Sequence, residues 1–84
     1  MLLDDETIAQ QLALLAQYRD TLTHLLAQAA QYGGELFAPP ATANGIAQAR
    51  AEIGRMKAAL RAGGVVVEDE LNDEAPAQVE PTQQ

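Results

Sequence analysis

The sequence predicts an all-α fold, an antiparallel two-helix hairpin over about residues 4–32 and 41–62 that completes a four-helix bundle by self-association. Three observations carry this. Apolar residues recur at threes and fours through two long segments. Each segment ends at a Gly pair, Gly33-Gly34 and Gly63-Gly64. Between them lies a short connector with Pro39-Pro40, too brief for another element.

The first segment, Ile8 to Tyr32, organises the chain. One file of its apolar face reads Ile8, Leu12, Leu15, Arg19, Leu22, Leu26 and Ala29; a second reads Leu14, Tyr18, Leu25 and Tyr32. No Pro or Gly interrupts them, and a helix of that length is roughly 40 Å long. Asp4 or Asp5 is placed to cap its start, and the acidic cluster with Glu6 suits the positive end of the helix dipole. Leu36 and Phe37 are expected to fold back over the hairpin end as a plug. The second helix starts between Pro40 and Asn44, with the earlier start preferred because Pro is accepted in a first turn. Its seam, Ile46, Ala49, Ile53, Met56 and Leu60, is narrower, and alanines on both flanks permit close approach. Val65-Val66-Val67 is β-branched but has no second strand to pair with. It either lies extended along the hairpin or adds to a sheet edge elsewhere. Residues 1–71 read as the helical interaction domain. Residues 72–84, acidic with Pro and Gln, read as a disordered tail or linker.

Eighty-four residues form one small domain, and a lone hairpin of that size is marginal. With no Cys, disulfides and thiolate metal sites are closed as means of support. The start has neither the basic residues nor the apolar length of a secretory signal, and no apolar run approaches ~20 residues, so a cytoplasmic protein is expected. The net charge of −7 is uneven. Residues 1–6 carry −3, residues 46–62 carry +3 from Arg50, Arg55, Lys57 and Arg61 against Glu52, and residues 68–84 carry −6. Overall acidity opposes nonspecific nucleic-acid or membrane binding.

Chemistry is sparse. His24 is the only histidine, at the edge of the apolar face, and reads as a boundary residue without companions for a zinc site. There is no Ser, and no Thr has an evident base beside it. No enzyme activity and no cofactor are expected. Arg19 stands where a Leu belongs. It either snorkels to the edge or pairs with a carboxylate to set register or partner. Glu52, at similar depth on the second helix of the same chain or of a mate, is the expected partner. The basic set Arg50, Arg55, Lys57 and Arg61 is either a solvated face or a docking face for the acidic segment 68–74 of a neighbouring copy or for another protein.

Tyr18-Arg19-Asp20-Thr21-Leu22, Leu25-Leu26, Ala38-Pro39-Pro40, Gly45-Ile46, Ala49-Arg50, Ile53, Met56-Lys57, Leu60-Arg61, Gly63 and Val67-Glu68-Asp69 together carry a resemblance. Over about residues 8–73 the chain resembles the effector-associated domains at the N-termini of multidomain bacterial signalling and conflict-system proteins. In those the module precedes a linker and a caspase-like, Toll/interleukin-receptor-like, formylglycine-generating-enzyme-like or NTPase domain. This sequence departs from the pattern at Leu71, near which a Pro is frequent. The resemblance implies an adaptor that recruits or clusters effectors by like-with-like association. The expected function is therefore a protein–protein interaction module, and the alternative is a small regulatory hairpin, antitoxin-like or an RNA-binding dimer. The expected partners are a second copy, most simply as a dimer, or a like helical domain. The expected interface comprises Leu12, Leu14, Leu15, Tyr18, Arg19, Leu22, Leu25 and Leu26 with Ile46, Arg50, Ile53, Met56, Lys57 and Leu60.

Overall fold

Asp4 opens the structure as an N-cap: its carboxylate accepts a hydrogen bond from the Thr7 amide at 2.7 Å. That contact lowers the Asp4 pKa below its usual value. The computed structural model describes residues 4–74. Helix α1 spans Asp5–Ala30, a 3-10 turn occupies Glu35–Phe37, and helix α2 spans Pro40–Ala62. The two helices form an antiparallel hairpin, and no strand occurs among the described residues.

The Gly pairs end the helices as expected. Gly33 (φ 102°) and Gly34 (φ 128°) take backbone conformations that a side chain would strain, and the Gly34 amide donates back to the Ala29 carbonyl at 3.1 Å. Helix α2 starts early, with Pro40 in its first turn and no side-chain cap. The expected plug does not form. Leu36 is 81% exposed and Phe37 69% exposed, because the tight 3-10 turn turns both side chains away from the helix seam.

Leu15, Leu22 and Ala29 of α1 meet Ile46, Ala49, Ile53, Met56 and Leu60 of α2 in one core, with Val67 closing its open end. Leu15, Leu22, Ile53 and Leu60 are essentially inaccessible, and each such side chain contributes about 1.5–3 kcal/mol by leaving water. Gly45 allows close approach. A Cβ built there would lie 3.1 Å from Leu25 Cδ1.

Beyond Gly64 the chain reverses and runs extended over residues 65–70, then turns at 71–72 and bends at 73–74. Val65 is half-buried, Val66 points out and Val67 is buried. The valine run therefore lies along the hairpin and does not join a sheet. The expected domain boundary at residue 71 also moves. Asp73 is only 3% exposed, so residues 72–74 belong to the folded unit. The rest of the expected tail, 75–84, lies outside the described residues.

Ile53→Ala is expected to lower unfolding stability by about 2–5 kcal/mol, because it opens a cavity between two helices with little else to fill it. Gly54→Ala, at an exposed helical position with free space around its Cα, is expected to raise stability by about 1 kcal/mol. Urea unfolding of both variants measures the contrast.

Candidate interaction surfaces

At about 100° per residue, α1 presents three directions around its axis. Leu15, Leu22 and Ala29 face α2. Ile8, Leu12, Arg19 and Leu26 lie to one side, and Leu14, Tyr18 and Leu25 to the other; Tyr32, expected in the second file, lies past the end of α1 in the turn. The two flanks of the hairpin are built differently.

The Arg19 flank is covered by the extended segment 65–74, held by a network of charges. Asp73 is its centre. Its carboxylate accepts from Arg19 Nε at 2.9 Å and Nη2 at 2.6 Å, from Lys57 Nζ at 2.9 Å, and from the Glu70 amide at 3.0 Å. Lys57 is 4% exposed and pairs with Asp69 as well. Arg19 also reaches the Glu68 carbonyl at 3.0 Å and Glu70 at 3.4 Å. Arg61 donates to the Val67 carbonyl at 2.5 Å and to Asp69 at 3.0 Å. At the far end Arg50 forks onto Glu35, at 2.6 and 3.1 Å, and donates through Nε to the Asn72 carbonyl at 3.1 Å.

Burial opposes ionisation of Asp73, but the Arg19 hydrogen bonds, the Glu70 amide and Lys57 outweigh it and hold the carboxyl far below the usual range. Burial likewise disfavours the charged form of Lys57, yet Asp69 and Asp73 raise its pKa. The hydrogen bonds to Asp73 raise the Arg19 pKa, and those from Lys57 and Arg61 lower that of Asp69. No buried side-chain nitrogen or oxygen is left without a partner among the described residues. No arrangement of three or more His, Cys, Asp or Glu suited to a metal ion occurs among them either.

The expected partner of Arg19 is thus replaced. Glu52 points to the opposite flank and pairs with Arg55 one turn on, while Arg19 takes Asp73. Depth along the hairpin matched, but direction around the helix did not. The basic set is not a free docking face: Arg50, Lys57 and Arg61 hold the chain's own acidic segment. Arg19, Arg50 and Lys57, expected at an intermolecular interface, work within the fold. Leu15, Leu22, Ile46, Ile53, Met56 and Leu60, expected there too, are buried between the helices. Leu26 is half-buried against the core. Segment 68–74 was expected to meet the basic set only from a neighbouring copy, and Asp73 was missed as a residue of the fold itself because it lay in the presumed tail. The signal was present: an unmatched Arg and Lys at similar depth require a carboxylate, and the acidic segment lay within reach of α2.

The opposite flank has no such cover. Leu14 is 41% exposed, while Tyr18 and Leu25 are half-buried. A shallow groove of about 360 Å³ runs there between Gln11, Leu14 and Tyr18 of α1 and Glu52, Arg55, Met56 and Ala59 of α2. A larger cleft of about 550 Å³ lies between Glu35, Leu36, Ile46, Arg50 and Glu74 at the connector end. Leu12, 41% exposed, edges a third hollow beside the extended segment. His24 lies exposed on α1. No helix of the described residues is long and apolar enough to cross a membrane.

Arg19→Leu takes two of its four hydrogen bonds from the buried Asp73, leaving Lys57 and the Glu70 amide, and is expected to cost on the order of 3 kcal/mol in urea unfolding. The pH dependence follows from both pKa directions. The depressed Asp73 contributes fully above its ordinary value of 3.8 and progressively less as pH falls below it. The raised Lys57 contributes fully below 10.5 and less as pH rises through its raised value. Amide NMR signals of residues 65–73 are therefore expected to begin losing native shifts as pH falls below 3.8 and, at the alkaline end, only as it rises past 10.5. In Asp73→Asn the acid transition of these signals is expected to flatten.

Comparison with protein-family models, with curated proteins and with solved structures returns no match.

Proposed function

We propose that this chain is a non-enzymatic protein–protein interaction module that self-associates and recruits or clusters effector domains in bacterial signalling or defence. The observation that carries the reading is the asymmetry of the hairpin. One flank is covered by the chain's own acidic segment, with Leu12 still 41% exposed beside it, and the other leaves a file of Leu14, Tyr18 and Leu25 in partial contact with water under no such cover. A small domain gains stability by burying such a file against another molecule, at about 25 cal/mol per Å². The charge pattern supports the same flank. Its groove has Glu52 and Arg55, which pair with each other, in a chain of net charge −7. Two copies related by a two-fold axis could meet there without placing like charges together.

The resemblance of residues 8–73 to effector-associated domains supports the recruiting role. The antitoxin-like or RNA-binding alternative has weaker support, because each of the five Lys and Arg residues pairs with a carboxylate of its own chain.

Sedimentation at micromolar concentration is expected to show a concentration-dependent oligomer. Leu14→Asp, an exposed position on the open flank, is expected to weaken it at least tenfold, or ~1.4 kcal/mol, with helicity retained. Leu36→Asp, at a still more exposed position at the connector end, is expected to leave it unchanged. A fully helical monomer of the unmodified chain across that range would rule out self-association.

A further inference from the structure

The groove that holds residues 65–74 has the chemistry of a peptide-binding site. Three guanidinium groups read main-chain carbonyls in succession: Arg61 that of Val67, Arg19 that of Glu68 and Arg50 that of Asn72. Such contacts recognise an extended backbone whatever its side chains. Specificity comes from two further features, the Lys57–Arg19 pocket that takes the Asp73 carboxylate and the apolar seat of Val67. The segment itself has little apolar attachment besides Val67 and the half-buried Val65. Val66 is 88% and Leu71 94% exposed, so charge and hydrogen bonds dominate its hold.

The segment joins α2 through Gly63-Gly64, and Gly64 takes a positive φ of 89° that sets the direction of the return. A different conformation at that pair sends the segment away from its own groove. Every contact made within one chain can then be remade in an identical groove on another, so exchange changes little but the entropy of association.

We propose that the groove formed by Arg19, Arg50, Lys57 and Arg61 is a binding site for an extended acidic segment, and that its ligand in trans is residues 65–74 of a second copy of this chain. The complementarity of this groove to that sequence selects the occupant. The exchange is independent of the open flank and joins copies through the opposite side of the hairpin. Within one chain the cis segment competes with the incoming one, so the exchanged form increases with protein concentration and with any change that loosens Gly63-Gly64.

The test uses two full-length variants. Asp73→Asn keeps the groove and damages the segment; Lys57→Gln keeps the segment and damages the groove. Both also carry Leu14→Asp, which removes association through the open flank. Each variant alone lacks one half of the contact. Mixed, they are expected to form a heterodimer at least tenfold tighter than either self-associates, seen by native mass spectrometry of mass-labelled chains, and weakening as salt is added. A mixture no more associated than its components overturns the proposal, whether or not the open flank proves to self-associate in chains with Leu14 intact. If Lys57→Gln lowers helicity, a second measurement decides. A labelled peptide of residues 65–74 is titrated into the Asp73→Asn chain. Binding at least tenfold tighter than that of the same peptide with Asp73→Asn supports the site. Equal or absent binding of the two peptides overturns it.

Discussion

One carboxylate ties the three layers of this small fold together. Asp73 receives Arg19 from α1, Lys57 from α2 and a main-chain amide from its own turn. An exposed ion pair contributes little, because water competes and two long side chains must be ordered. Here Asp73 and Lys57 are both nearly inaccessible, so each charge depends on the others. Removing any one leaves the rest without adequate solvation. The contact thus fixes where residues 65–74 lie more than it adds net stability.

That constraint makes sense of the least regular position in α1. An arginine amid leucines disrupts an apolar stripe if the stripe faces only a second helix. It does not if the stripe is wide enough to meet two neighbours. The α2 helix covers Leu15, Leu22 and Ala29, and the extended segment covers the shoulder on which Arg19 stands. The return segment therefore does for one side of the hairpin what a third helix does in a bundle. It uses ten residues and mostly polar contacts.

The helices, their Gly-determined ends and their facing seams were legible in the sequence because each follows from local rules: period, capping and turn chemistry. The early start of α2 was legible for the same reason, through Pro40. The partner of Arg19 was not. Counting residues from the turn gives depth along a hairpin but leaves open which way a side chain points around its helix. Glu52 lies at the right depth on the wrong flank. Leu36 and Phe37 misled in another way. Their hydrophobicity suggested burial, but a 3-10 turn between two glycine and proline anchors leaves no freedom to bring both inward. Asp73 was hidden by composition. A stretch of acidic residues reads as solvated tail unless one asks where the buried cations of the fold find their counter-charges.

The same question separates the two flanks in what they can do. A surface whose cations are all satisfied by the chain's own acids has a ligand already in place, so a competitor must match that ligand's geometry. A surface with apolar residues half in water has no such incumbent and gains by nearly any complementary apolar contact. The first kind favours selectivity and the second affinity. A hairpin that keeps them on opposite sides, with its core between, can change one without disturbing the other. Arg19 and Tyr18, neighbours in sequence, stand on either side of that division, and the 100° turn between them separates the covered flank from the open one.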